Sequence, residues 1–177
     1  MNYISAENFL KQPKEIQEVF LNWWQPEFGD LFIEDYWDID SIINIVGCVP
    51  INKKHFEDYE GKIHYKTDLV IPLLTEERLR RFIENKTNSK IIYDYLDTIG
   101  GYSIGLVLNK NSPTQNVKWF EDCGDNLLQA YWQVACIISQ EEVINENQNI
   151  ISINEYGLPV IKGGGKTMRE MYNDEYR

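Results

Sequence analysis

The stretch GDNLLQAYWQVACIISQEE, from Gly124 to Glu142, carries the strongest helical pattern in the chain. Its apolar residues recur at spacings of three and four and occupy most sides of the predicted helix. Asp125 lies where an N-cap is expected, because its carboxylate can accept hydrogen bonds from the free N–H groups of the first turn. A helix that is apolar on most sides is normally buried. The sequence therefore predicts that this helix forms the centre of the core.

The rest of the chain alternates between helical and extended patterns. Two helices are predicted near the N-terminus, and Ser5 can cap the first of them. Another helix begins at Thr75, which can cap it, and ends near Asn85. The segments Ile91–Leu96 and Tyr102–Leu108 flank a connection with two glycines and predict an antiparallel hairpin. Pro50–Tyr65 is interpreted as a loop that leads into a strand. Leu31–Ile33 is predicted as a strand, and Ile42–Val49 is an apolar run. Tyr65–Leu74 is interpreted as an edge strand or an extended loop, because Pro72 interrupts it, and Val117–Phe120 as a short strand or a lead-in to the long helix. Ile150–Ile153 and Pro159–Ile161 could form a late strand pair.

Length and composition indicate a folded protein of ordinary size. The chain has 177 residues, of which 43% are hydrophobic, and this content is too high for a disordered chain. We predict an α+β fold with a single domain over residues 1–161. In this fold a small antiparallel sheet packs against the long buried helix and two or three shorter helices. Residues 162–177 begin with a run of glycines and are predicted to form a flexible C-terminal tail.

The charge of the chain restricts its partners. The formal net charge is −11, from 28 acidic and 17 basic residues, and nucleic-acid binding needs a basic surface. We therefore expect no direct nucleic acid and no membrane partner, but a protein whose own surface is basic. The chain shows no secretory signal and no apolar window of membrane-spanning length, so we expect a cytoplasmic protein. Three widely spaced cysteines agree with reduced thiols in that compartment.

Negative charge is concentrated between Glu27 and Glu60. Nine acidic residues there are opposed only by Lys53 and Lys54, so the formal charge of the segment is −7. Carboxylates spread along a surface can imitate the spacing of phosphates, and aromatic residues among them can anchor a protein interface. The alternative is a solvated face whose aromatic residues turn into the core. The candidate partner-binding residues, called the acidic strip below, are Glu34, Asp35, Tyr36, Trp37, Asp38, Asp40, Glu57, Asp58 and Glu60.

A smaller set of basic residues is a candidate for binding a phosphate or another anionic ligand. Arg78 and Arg81 are three residues apart and therefore share one helical face. Lys162, Lys166 and Arg169 lie in the predicted tail. The alternative is that the arginines form ion pairs with the acidic residues of this protein.

No motif indicates catalysis, a cofactor or a metal. The GGGKT at 163–167 is similar to the end of a phosphate-binding loop, but the position that requires the first glycine is Val160. His55 and His64 are nine residues apart, a spacing that matches no standard metal site. Cys123 is expected to be the most exposed thiol, but nearby acids would raise its pKa and make it a poor nucleophile. We therefore expect a non-enzymatic protein.

Three segments resemble recurring segments of small proteins encoded by phages and prophages of low-GC Gram-positive bacteria. These segments are IPLLTEERLRRFIENKT (71–87), GDNLLQAYWQVA (124–135) and, more weakly, the opening FLKQPKEIQEVFLNWWQPEFGDLF (9–32). They cover about a third of the chain and coincide with predicted helices and core, and this group has no shared catalytic motif. Small acidic phage proteins are in turn similar to anti-CRISPR and other anti-defence inhibitors. The resemblance implies a phage protein that binds a host immune effector and blocks its nucleic-acid binding or activation.

Two other functions remain as alternatives. The chain could sequester a nucleotide immune signal, which needs a basic pocket built from the arginines and lysines named above. It could also be a structural or replication-accessory protein of a phage that acts by oligomerising. A homodimer is left open under each alternative.

Overall fold

The computed structural model describes residues 2–34, 42–48, 55–65, 70–97, 100–108, 116–150, 152–153 and 159–160. These residues form helices and antiparallel sheets, which confirms the predicted α+β class. The helices are α1 (Ala6–Leu10), α2 (Lys14–Trp23), α3 (Glu76–Thr87) and α4 (Leu127–Ile150). The strands are β1 (Leu31–Glu34), β2 (Ile43–Cys48), β3 (His55–Asp58), β4 (Ile63–Tyr65), β5 (Val70–Pro72), β6 (Lys90–Leu96), β7 (Gly101–Val107), β8 (Val117–Phe120), β9 (Ser152–Ile153) and β10 (Pro159–Val160).

The chain divides into two units, Met1–Ser139 and Gln140–Arg177. The first contains both larger sheets and the buried part of α4. In the second, β9 pairs antiparallel with β10, as predicted for the late strand pair. The predicted boundary between a domain over 1–161 and a tail over 162–177 falls outside the described residues and stays a prediction. Along the described segments, no helix combines the length and apolar character needed to cross a bilayer.

The four helices meet around a cluster of aromatic rings. Phe20 of α2 lies between Trp132 of α4 and Phe82 of α3, with ring centroids 5.0 Å and 4.5 Å away. Phe9 of α1 packs against the same Phe20 ring at 6.0 Å. Offset and tilted aromatic contacts of this kind add to the free energy gained by burying the rings. The cluster therefore joins helices that are far apart in the sequence.

The long helix α4 is buried as predicted, but both of its ends differ from the prediction. It begins at Leu127, and the side chain of Asn126 accepts a hydrogen bond from the N–H of Gln129 at 3.3 Å. Asn126 is therefore the N-cap, and the assignment of Asp125 was wrong. The helix continues beyond Glu142 to Ile150, although Asn, Val and Ile in that segment have low helix propensity. Most positions between Leu128 and Ser139 are buried.

The first sheet has the strand order β4-β3-β2-β1-β5, and a contact between β4 and β1 shows that it is curled. In a flat sheet β4 and β1 would lie about 14 Å apart, since strands are spaced by about 4.8 Å. Instead, the ring of His64 on β4 contacts the carboxylate of Glu34 on β1 at 3.1 Å. The curl encloses a second core of five buried residues, Trp24, Phe32, Val46, Phe56 and Val70.

A short hairpin within this sheet was missed by the sequence interpretation. The segment taken as a loop contains β3, and β3 pairs antiparallel with β4. The turn between them forms because Asp58 Oδ1 accepts hydrogen bonds from the backbone N–H groups of Glu60 and Lys62, each at 2.9 Å. Gly61 in this turn has a φ of +80°, which favours glycine. Charged residues and a glycine lie among the apolar residues of these two short strands. The segment therefore has the composition of a loop, and the hairpin was not predicted.

The second sheet has the order β6-β7-β8, and all of its pairings are antiparallel. The predicted hairpin is confirmed, with a regular register from Lys90 opposite Val107 to Leu96 opposite Gly101. The predicted edge strand around Pro72 is also confirmed, because β5 is the terminal strand of the first sheet. α3 is capped by Thr75 as predicted but extends to Thr87, two residues past the predicted end.

Candidate protein-binding surface

The convex side of the curled sheet exposes an unusual amount of apolar surface. Ile43 and Ile45 of β2 are 44% and 39% exposed, and both lie directly opposite half-buried residues of β1. Phe28 and Tyr59 are more than 60% exposed and contact each other with ring centroids 5.5 Å apart. The N–H of Tyr59 donates to the carbonyl of Ile45, which places the backbone of Tyr59 beside that of Ile45. We call this surface the outer-face patch: Phe28, Leu31, Ile33, Ile43, Ile45 and Tyr59.

Contiguous exposed apolar surfaces on soluble domains commonly mark interaction sites. Two carboxylates border the outer-face patch: Glu57 on β3 is half-buried, and Glu60 in the following turn is exposed. Within the described part of the chain, neither carboxylate belongs to an ion pair. The outer-face patch therefore combines apolar anchors with negative charge at its margin.

The structure distributes the residues of the acidic strip over different environments. Asp35, Tyr36, Trp37, Asp38 and Asp40 lie outside the described residues. Glu57 is half-buried and Glu60 is exposed. Asp58 is only 7% exposed, and Glu34 is half-buried. Their carboxylates face the inside of the curled sheet, so these two residues offer no free charge to a partner.

His64 explains why Asp58 and Glu34 turn inward. Its Nε2 lies 2.8 Å from Asp58 Oδ2, and its Nδ1 lies 3.1 Å from Glu34 Oε2. Lys62 also contacts Glu34, at 3.0 Å. Burial alone would raise the pKa of each carboxyl, but the hydrogen bonds from His64, Lys62 and the backbone outweigh it and leave both pKa values below their ordinary range.

The proposed ligand-binding arginines are used within the protein. Arg78 is buried, and its guanidinium contacts Glu27 at 3.0 Å and Asp30 at 2.9 Å. Arg81 donates two hydrogen bonds to the carboxylate of Glu27, at 2.7 and 2.8 Å. The hydrogen bonds from Arg81 lower the pKa of Glu27 to about 2, whereas burial raises the pKa of Asp30. The alternative interpretation, ion pairing with the protein's own acids, is therefore confirmed for both arginines. Lys162, Lys166 and Arg169 lie outside the described residues.

The cysteines differ from the expectation in one respect. Cys123 is buried, and Cys48 is the exposed thiol, so the expected exposure of Cys123 was wrong. Burial, and to a lesser degree the charge of Asp122, raises the pKa of Cys123. The direction matches the prediction, although burial was not its predicted main cause. Burial likewise raises the pKa of Cys136 to about 12. Neither thiol is suited to act as a nucleophile.

A cavity of about 690 Å³ lies at the N-terminal ends of α3 and α4. Helix N-termini attract anions, since their free N–H groups carry partial positive charge. Here, however, Glu76, Glu77 and Asp125 line the same cavity. Their negative charge opposes the binding of a phosphate at this position. Among the described residues, no group of three or more His, Cys, Asp or Glu side chains has the geometry of a metal site.

Comparison of the chain with protein-family models, with curated proteins and with solved structures found no match. The outer-face patch was not predicted from the sequence. The sequence does show apolar residues at alternate positions, namely Ile43 and Ile45 on β2 and Ile63 and Tyr65 on β4. An alternating pattern shows that one side of a strand is apolar, but it does not show whether another layer covers that side. The curl of the sheet determines which of its two sides is covered.

Proposed function

We propose that this protein is a non-enzymatic inhibitor, encoded by a phage, that binds a bacterial immune effector in the cytoplasm of the host cell. The outer-face patch and the acidic residues around it contact a basic surface of the effector. Binding there blocks the access of nucleic acid or holds the effector in an inactive form. The observation that carries this proposal is an exposed apolar surface bordered by two carboxylates that have no ion-pair partner among the described residues, in a chain with a net charge of −11.

The ion pairs of the protein support an acidic binding surface. Arg78, Arg80, Arg81, Lys11 and Lys62 each contact a carboxylate of the same chain. Five of the 17 basic residues are thus compensated internally, while Glu57 and Glu60 belong to no ion pair in the part of the chain that the structure describes. Electrostatic complementarity of this kind speeds association with a basic partner and weakens at high salt.

The same contacts weigh against the nucleotide-sequestering alternative. Arg78 already pairs with Glu27 and Asp30, and Arg81 pairs with Glu27, so neither offers an uncompensated charge to a phosphate. The cavity beside α3 and α4 has an acidic lining. A phage structural or replication-accessory role remains the other alternative, and it predicts a defined oligomer.

The test begins with affinity purification of the tagged protein from host cells that carry immune systems. The recovered effector is then purified, and its affinity for the protein is measured. We expect Ile45→Ser to weaken binding by about tenfold or more, as for truncation of a central interface residue. Ile137→Ser is the matched control, because Ile137 has a similar exposure, 41%, but lies on α4. The control should bind like the unchanged protein.

The acidic strip is tested separately by changing Asp35, Asp38 and Asp40 to Asn. We expect weaker binding and a smaller dependence of the affinity on salt. Recovery of no effector at low salt would contradict the proposal. A rise in melting temperature with nucleotide signals, unaffected by the Asn changes, would instead support sequestration. A defined oligomer without an effector would support the accessory role.

A further inference from the structure

His64 lies completely buried inside the curled sheet, and both of its ring nitrogens face carboxylates. Nδ1 is 3.1 Å from Glu34 Oε2 on β1, and Nε2 is 2.8 Å from Asp58 Oδ2 on β3. Phe32 and Phe56 form the walls of this site, with ring centroids 4.8 and 5.6 Å from the imidazole. The single side chain thus connects β4 to β1 across the two strands that lie between them.

Both carboxylates are held as anions by donors other than His64. Asp58 Oδ1 accepts two backbone N–H groups at 2.9 Å, and Glu34 Oε2 accepts the ammonium of Lys62 at 3.0 Å. Burial raises the pKa of each carboxyl, but these donors together with His64 bring both pKa values below the ordinary range. Neither carboxyl is therefore placed to give a proton to a neutral ring nitrogen.

The two contacts require a particular form of the imidazole. A neutral histidine has one N–H, so one of its nitrogens would direct a lone pair at a carboxylate oxygen. The imidazolium has two N–H groups and donates to both carboxylates. Its charge and that of Lys62 then balance the charges of Glu34 and Asp58. These four are the charged groups that the described elements bring to the site, since Phe32 and Phe56 are uncharged.

We propose that His64 is an imidazolium whose two N–H groups close the curled sheet by joining β4 to β1. A neutral side chain of similar size has no second donor for this purpose, so it would leave one of the two carboxylates without its hydrogen bond. The closure also needs both carboxylates as anions, so it is lost in the acid range, where Glu34 and Asp58 gain protons and stop accepting.

The protonation state can be observed directly in the unchanged protein. We expect long-range ¹H–¹⁵N spectra of histidine-labelled protein at neutral pH to show two protonated ring nitrogens for His64, each with a slowly exchanging proton. His55, the only other histidine of the chain, provides an internal reference signal. Detection of a single N–H on His64, the mark of a neutral tautomer, would overturn the proposal.

Hydrogen exchange tests whether His64 closes the sheet. We expect His64→Gln to raise the exchange of the amides of β1 and β4 at neutral pH by about ten- to a hundredfold, as for the loss of a hydrogen bond to a charged group. His55→Gln is the matched control and should retain the wild-type protection. Unchanged protection of β1 and β4 in His64→Gln would overturn the proposal, and the nitrogen spectra of the unchanged protein decide it even if His64→Gln fails to fold.

Discussion

At the scale of single residues, Glu27 shows how an acidic protein uses its charge internally. Its carboxylate accepts hydrogen bonds from Arg81 and contacts Arg78. The two arginines share one face of α3, which the sequence predicts correctly. Their partner is 51 or more positions away in the chain, so only the folded structure identifies it. Arg78 and Arg81 therefore stabilise the fold, and the sequence alone could not separate this role from ligand binding.

Glu27 should make the stability of the protein sensitive to acid. Its pKa is lowered from 4.5 to about 2 in the folded protein, so its contribution to stability is present above about pH 4.5 and is lost as the pH falls toward 2. We expect Glu27→Gln to lower the melting temperature at neutral pH and the difference from wild type to shrink below pH 4.5. Thermal unfolding between pH 7 and pH 2 measures this. Glu18→Gln, at an exposed position of α2, is the control. A difference that stays constant down to pH 2 would contradict the assignment.

At the scale of secondary-structure elements, local sequence signals predicted most helices and the β6–β7 hairpin. Ser5 and Thr75 accept hydrogen bonds from the first turns of α1 and α3, as their positions suggested. The start of α4 was displaced, because Asp125 and Asn126 are both good capping residues. Only the backbone path decides which of two adjacent capping residues has its side chain over the first turn.

The capping assignment gives a direct prediction. We expect Asn126→Ala to lower the free energy of unfolding by about 1 kcal/mol, since the free N–H groups of α4 would lose their acceptor. Asp125→Ala should change it by less than about 0.5 kcal/mol, as for an exposed residue without such a role. Urea unfolding of the two variants measures the difference. Equal losses, or a larger loss for Asp125→Ala, would show that the cap is wrongly assigned.

At the scale of the whole molecule, the bend of the first sheet determines what the surface presents. The register between β2 and β3 shifts between Val46 and Cys48, and Gly47 lies at this irregularity. A Cβ atom at Gly47 would lie 2.6 Å from the backbone oxygen of Asp58. The close approach lets β3 and β4 turn toward β1. This brings His64 to Glu34 and leaves Ile43 and Ile45 on the convex side.

Filling this position should therefore disturb the curl. We expect Gly47→Ala to lower the free energy of unfolding by about 1–3 kcal/mol, as for an overpacked site. Urea unfolding gives the energy, and hydrogen exchange in β3 and β4 locates the change. Gly101→Ala is the control, because the nearest atom to an added Cβ there is 3.5 Å away, an ordinary contact. Similar losses in both variants would show that Gly47 has no special part in the bend.

The sequence by itself determined the α+β class, the buried helix α4, the caps of α1 and α3, the β6–β7 hairpin and the excess of negative charge. These features depend on periodicity, composition and neighbours within a few residues. The tertiary structure alone decided that Asp58 and Glu34 turn inward to His64, that Arg78 and Arg81 pair with Glu27 and Asp30, and that Ile43 and Ile45 are exposed. Each of these outcomes depends on contacts between residues distant in the chain. The curl of the sheet creates those contacts, and a linear pattern of apolar and charged residues does not encode which carboxylate meets which cation.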